Sequence, residues 1–154
     1  MGDIEAPSGD RIVAALNSVG LRITRQRQVI IDYLAGRHDH PSARQIFRDL
    51  TQSEARPSLA TVYNTLAILV ELGVIAEMEF EATDNRYDTN LAPHLNLVCT
   101  VCGSIEDVDG EPPVGAAELR RQTGFETTAY RLECRGICAR CQPQTTKDPS
   151  RRPS

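Results

Sequence analysis

Ser58–Phe80, SLATVYNTLAILVELGVIAEMEF, carries the change of hydrophobic period on which the fold turns. Leu59, Val62, Leu66, Leu69 and Val70 recur at helical spacing, with Ser58 placed to cap the first turn and Gly73 to end the last. Beyond Gly73 the run Val74 to Phe80 reads as extended chain, then a turn at Thr83-Asp84-Asn85 leads into Arg86-Tyr87-Asp88. A long helix feeding directly into a hairpin is the core of the reading, and the rest of the chain is placed around it.

Upstream, Ile12, Ala15, Leu16 and Val19 follow helical spacing up to Gly20, and Thr24 caps a second helix carrying Ile30, Tyr33 and Leu34. A third helix begins at His40-Pro41-Ser42, with the proline in its first turn and Ala43, Ile46, Phe47 and Leu50 along one face. Three or four short helices followed by a hairpin make a winged helix-turn-helix, spanning residues 10–90. Downstream, residues 91–141 read as a strand from Leu95 to Val101, a return strand from Ser104 to Val108, a helix from Pro113 to Gln122 stopped by Gly124, and a long strand from Phe125 to Arg135. The fold class is therefore α+β, an N-terminal winged helix followed by a small α/β domain. Residues 1–9 and 142–154 are poor in apolar side chains and are expected to be disordered.

The chain has 154 residues, 40% hydrophobic, with a net charge of −4. That charge excludes a basic unstructured tail but not a folded DNA-binding module, because phosphate contacts depend on local clusters. No run approaches the roughly 18–20 apolar residues of a membrane span, and no signal-peptide pattern opens the chain, so a cytoplasmic protein with no membrane association is expected.

Cys99-Thr-Val-Cys102 and Cys138-Ala-Arg-Cys141 are two CxxC turns, each able to present two sulfurs to one ion. Four thiolates suit a structural Zn2+, and a closed shell leaves no position for substrate. A thioredoxin-like redox pair would require a βαβ context that is lacking. Cys134, the fifth cysteine, shares a strand face with Tyr130 and Leu132 and reads as a small buried residue in preference to a reactive thiol. His94 and Asn96 point to the side of their strand opposite Cys99, Asp107 lies on the return strand, and Asp88 ends the wing. Each of these alone reads as an ordinary solvated polar residue.

Taken together, these residues resemble the ferric uptake regulator (Fur) family over residues 10–141. The matching segments are His40-Pro41-Ser42-Ala43, Leu59-Ala60-Thr61-Val62-Tyr63-Asn64-Thr65-Leu66, Arg86-Tyr87-Asp88, His94 with Cys99-Thr-Val-Cys102-Gly103, and Gly136-Ile-Cys-Ala-Arg-Cys141. The resemblance implies a homodimeric, metal-sensing repressor whose second domain mediates dimerisation and whose regulatory Fe2+ or Mn2+ is held by His40, Asp88, His94, position 96 and Asp107. It implies a double-stranded, palindromic DNA operator. Ser58, Thr61, Tyr63, Asn64 and Thr65 on the fourth helix are candidates for DNA contact, and Arg22, Arg25 and Arg27 for its phosphates, a solvated face being the plain alternative for the arginines.

Within the family the peroxide-sensing branch is favoured. Asp107 stands where iron-sensing members usually carry Glu, Asn64 where they typically carry Arg, and Pro93, Leu95 and Tyr130 occupy positions where a further site would have ligands. The resemblance then implies that bound Fe(II) reduces hydrogen peroxide and that one oxygen is added to the imidazole of His40 or His94, after which DNA is released. The alternative is reversible sensing of iron or manganese by an uptake regulator. Asn96 departs from the family, which has a second histidine on this strand; an amide oxygen makes the donor set harder and better suited to Mn(II) or Fe(II) than to Zn(II) or Cu(II). No nucleophile paired with a base stands out, so an enzyme is not expected, and a protein-interaction zinc module would leave the tyrosine-asparagine helix and the wing unexplained.

Overall fold

The computed structural model of the protein describes residues 9–80 and 83–142. The segments expected to be disordered lie outside the described residues except for Gly9, which opens the first helix, and Gln142. The chain divides into two compact units, Met1–Ala92 and Pro93–Ser154.

The first unit contains helices α1 (Gly9–Ser18), α2 (Arg25–Leu34), α3 (Ala43–Asp49) and α4 (Leu59–Glu71), a single 3-10 turn (Leu50–Gln52), and the antiparallel strands β1 (Ala76–Met78) and β2 (Arg86–Asp88). Its helices start where hydroxyls are available to accept from exposed amides: Thr24 from Arg27 N, Ser42 from Gln45 N and Ser58 from Thr61 N. Ser42, not His40 or Pro41, is the cap of α3, so Pro41 stands ahead of the helix and not in its first turn. At the end of α4, Gly73 takes the left-handed conformation (φ 66°), Gly73 N donates to Val70 O and Val74 N donates to Leu69 O, which turns the chain into β1.

One hydrophobic cluster holds this unit together. Ile12 and Leu16, Ile30, Ile31 and Leu34, Ile46, and Val62, Leu66 and Leu69 from the four helices are buried with Ile75 and Tyr87 of the wing. Leu59 and Val70, expected in the buried stripe of α4, are only half-buried; Thr65 takes an inward position, its hydroxyl satisfied by donation to Thr61 O at 2.7 Å.

The second unit contains β3 (His94–Cys99), β4 (Ile105–Asp109), α5 (Ala116–Thr123) and β5 (Leu132–Gly136). The sheet runs β4-β3-β5, with β4 antiparallel and β5 parallel to β3. The final strand is much shorter than its alternating sequence predicts. Leu132 pairs with Leu95, one residue from the start of β3, and Pro93 has no amide to extend the ladder, so among the described residues, 125–130 find no strand partner. Cys134 is exposed, contrary to the buried position expected for it, because β5 is an edge strand with no helix residue buried over it. Among this unit's described hydrophobic residues only Val98 and Cys99 are buried.

Among the described residues no helix is long and apolar enough to cross a membrane. Leu66→Ala removes a fully buried side chain from the one cluster shared by all four helices, and we expect it to destabilise the first unit by about 2–5 kcal/mol, measured as a lowered denaturation midpoint with an unchanged denaturant slope.

Candidate metal centres and DNA-facing surface

The four CxxC cysteines converge. One sulfur from each of Cys99, Cys102, Cys138 and Cys141 lies within 4.8 Å of all the others, and Cys102 Sγ is 3.8 Å from Cys138 Sγ. Four sulfurs at about 2.3 Å from a tetrahedral zinc stand roughly 3.8 Å apart. The hairpin from β3 to β4 supplies the first pair, with Gly103 N donating to Cys99 O and Cys99 N to Ser104 O; the turn after β5 supplies the second, with Cys141 N donating to Cys138 O. Thr100 N donates to Gly136 O and ties the two turns side by side.

The electrostatics of the sulfurs favour a cation. Backbone amides of Cys138 and Cys102 hold the Cys99 thiol down to about 6, while sharing hydrogen bonds with the Cys138 and Cys102 sulfurs pushes Cys141 up to about 12. Four thiolates this close cannot ionise together without a positive charge among them, and a divalent ion supplies it. The cluster fits a structural zinc site.

Each unit also carries a buried histidine facing a carboxylate. In the first, His40 Nε2 is 3.6 Å from Asp88 Oδ1, both residues buried. In the second, His94 Nε2 is 3.6 Å from Asp107 Oδ1, a diagonal pairing across β3 and β4, where Asn96 lies directly opposite Asp107. These separations exceed a hydrogen bond, yet two ligands at about 2.1 Å from one ion stand roughly 3.0–3.6 Å apart. Asn96 Nδ2 lies 3.1 Å from His94 Nε2, and its buried Oδ1 has no hydrogen-bond partner among the described residues. Turning the amide over exchanges oxygen for nitrogen and presents a hard donor beside the imidazole. Imidazole, carboxylate and amide oxygen, the donor types found in these pairs, suit Mn(II) or Fe(II).

His40 itself is held under strain. Its φ of 47° is a conformation that costs a non-glycine residue about 1–3 kcal/mol. The wing maintains it: Arg86 Nη1 donates to His40 O at 3.3 Å, Tyr87 N donates to Pro41 O at 3.0 Å, Ser42 bridges to Arg86, and Thr89 Oγ1 donates to Arg37 O. Asn90 N donates to Asp88 Oδ1 at 2.7 Å and fixes the carboxylate. The bracing role of Arg86 has no separate signature in sequence, since an arginine before a buried tyrosine in a wing reads equally well as a DNA contact.

On α4, Tyr63 and Asn64 are exposed and Thr61 is half-buried. Ser58 Oγ is occupied in capping, accepting from Thr61 N at 3.0 Å with Thr61 Oγ1 at 2.8 Å. Thr65, expected to face DNA, is 1% exposed and belongs to the core, because its position falls on the same stripe as Val62 and Leu69. Arg22 and Arg25 are exposed, whereas Arg27 is half-buried and donates to Arg22 O at 2.8 Å. A cavity of about 330 Å³ between α4 and the wing is lined by Tyr63, Asn64, Glu77, Asn85 and Tyr87. Glu77 accepts there from Asn85 Nδ2 at 2.9 Å and from Tyr87 Oη at 3.2 Å, which ties the wing strands together beside the exposed helix face.

Cys138→Ser removes one of the four sulfurs, and we expect bound zinc, assayed by plasma mass spectrometry after gel filtration, to fall from about one ion per chain to well under half. Far-UV circular dichroism should lose strand signal while the helical signal of the first unit persists; unchanged zinc content would contradict the assignment.

The profile of the ferric uptake regulator family matches residues 18–135. The chain is 36% identical over 132 residues to the peroxide-responsive repressor PerR of Staphylococcus aureus, covering 84% of this chain and 88% of the relative. Its structure is similar to that of a zinc-bound manganese uptake regulator (29% identity, TM-score 0.61, 82% of this chain and 98% of the other). The Helicobacter pylori ferric uptake regulator Fur shares the fold at 20% identity (TM-score 0.70, 92% of this chain and 99% of the other). With the family profile spanning most of its length and the cysteine cluster in place, the chain belongs to the ferric uptake regulator family, whose members are DNA-binding, dimeric, metal-responsive regulators.

Proposed function

We propose that this protein is a cytoplasmic repressor of the PerR type, which releases a palindromic operator when hydrogen peroxide oxidises a histidine that ligates its regulatory metal. The observation that carries the reading is the 36% identity to a peroxide-responsive repressor over 84% of the chain. His40, Asp88, His94 and Asp107, with the oxygen of Asn96, are the proposed ligands of one ion, as their places in the family's sequence pattern imply. Each His–Asp pair supports this by having the separation of two donors on a common cation.

Fe(II) bound there would supply the electrons that open the peroxide O–O bond. The chain's own part is to hold His40 and His94 nearly free of bulk water, at 2% and 8% exposure, so that oxidant formed at their nitrogens meets an imidazole before it meets solvent. In the net reaction one imidazole C–H becomes a carbonyl, its hydrogen moves to a ring nitrogen, and the second peroxide oxygen leaves as water. A ring nitrogen that has become an amide-like N–H no longer offers a lone pair to a metal. The strain at His40 favours the same outcome, because a weakened ligand no longer helps hold a left-handed backbone.

An ion with His40 and Asp88 from the first unit and His94 and Asp107 from the second would bias the dimer toward one spacing of its α4 helices. Coupling of about 1–3 kcal/mol would change operator occupancy between 5-fold and 150-fold. Tyr63 and Asn64 are proposed to read bases in the major groove, with Thr61 beside them, and Arg22 and Arg25 to contact phosphates. Ser58, Thr65 and Arg27 act through capping, core packing and the local backbone.

A second reading, reversible sensing of manganese, is favoured by the similarity to a manganese uptake regulator and by the hard donor Asn96. The test separates them: zinc-loaded protein is supplied with Fe(II) or Mn(II), treated with equimolar peroxide, digested and examined by mass spectrometry. Peroxide sensing predicts a gain of one oxygen on peptides bearing His40 or His94 with iron and none with manganese. No gain with either metal would leave the reversible reading in its place.

A further inference from the structure

Two preferences of the chain oppose the conformation of His40. A residue before proline favours extended backbone, and a non-glycine residue avoids the left-handed region. His40 precedes Pro41 and has φ 47°. The bonds from β2 brace the exit of this loop, at the His40 and Pro41 carbonyls and at Ser42. Its entry has to be held as well, or the strain would relax backward toward Gly36, which is left-handed at φ 72° and moves at little cost.

Arg37 holds the entry. Its guanidinium donates twice to Asp39, Nε to Oδ1 at 2.8 Å and Nη2 to Oδ2 at 2.5 Å, a fork that closes residues 37–39 into a tight ring with His38 exposed at the rim. Arg37 Cζ lies 4.1 Å from the centre of the Tyr33 ring. Tyr33 is fixed in turn, because its hydroxyl donates to Asp49 Oδ2 at the end of α3. The carbonyl of Arg37 accepts from Thr89 Oγ1 at 2.5 Å, and the buried Thr89 directly follows Asp88. Arg37 thus joins α2, α3 and the segment carrying Asp88 to the residue before His40. A lone exposed ion pair would order little; this one is bidentate, stacked and continued through Tyr33 to a second carboxylate.

We propose that Arg37 is a positioning residue for the regulatory metal: by clamping Asp39 beside the ring of Tyr33, it keeps the loop before α3 in the conformation that has His40 ready to bind before an ion arrives. Arg37 and Asp39 supply no donor to the ion. Without the clamp the loop relaxes, and binding must first draw His40 back into its left-handed conformation, which lowers the apparent affinity by the fraction of chains that remain competent. The proposal rests on the reading of His40 as a ligand and adds to it the reason that His40 can be held in place.

The test uses the full chain with zinc at the cysteines, and Mn(II) affinity read from the paramagnetic resonance of the free ion. Arg37→Gln and Asp39→Ala should each weaken Mn(II) binding about tenfold, and the double variant should be no weaker than either, since both cut one fork. Arg37→Lys keeps the charge but cannot present the fork, and should behave like R37Q. Arg44→Gln, which breaks the exposed pair of Arg44 with Asp84 in the same unit, should leave affinity unchanged. At saturation with Co(II), the visible spectrum of R37Q should match that of the native protein, because the clamp acts before binding. His40→Ala tests the underlying assignment and should both abolish tight Mn(II) binding and change the Co(II) spectrum. If H40A binds like the native protein, the ligand assignment fails and the proposal falls with it. If H40A loses the ion while R37Q and R37K bind as tightly as the native protein, or if the saturated R37Q spectrum is altered, the ligand stands and the clamp alone is overturned.

Discussion

The second unit depends on four sulfurs held within 4.8 Å of one another. A sheet of three short strands and an eight-residue helix with no buried side chain cannot offset the entropy of ordering by hydrophobic burial alone. Zinc replaces the missing core by tying the β3–β4 turn to the turn after β5, and that tie sets the register of everything between. Asn96 is opposite Asp107 and two residues from His94 because the cysteine turns fix where β3 ends and β4 begins. The proposed sensing residues of this unit are therefore placed by the cysteine turns, outside their own donor set.

The first unit solves the same placement problem by different means. Its core is ample, and the strain at His40 is sustained by hydrogen bonds from the wing: Arg86 to the His40 carbonyl, Tyr87 to Pro41, and Thr89 to Arg37. Asp88 is on the same strand as Arg86. A change in the ligands would thus act on β2, which pairs with β1, the strand that follows α4, and this gives the proposed sensor a short mechanical path to the proposed DNA-facing surface of α4.

Much of this was legible in the sequence because the signals were local. Ser58 and Thr24 cap helices for the same reason that they are recognisable, and two CxxC turns can present their sulfurs in few ways. The failures came where distant partners decide the outcome. Residues 125–131 alternate like a strand, yet among the described residues they join no ladder, because Pro93 precedes the start of β3. Thr65 looked polar enough to face DNA, but a threonine that can donate to the carbonyl four residues back is tolerated inside. Cys134 reads as buried because Tyr130 and Leu132 share its strand face, yet on an edge strand it is exposed.

The central claim is that oxidation acts at the histidines while the zinc cluster remains intact. One titration tests it: protein loaded with zinc and Fe(II), bound to a fluorescent DNA selected from random sequence by the manganese-loaded form, receives peroxide in small steps while anisotropy and zinc release to a chromogenic chelator are followed together. The account predicts that DNA is lost by about one equivalent of peroxide with zinc still bound. Zinc release that tracks the loss of DNA would contradict it and place the sensor at the cysteines.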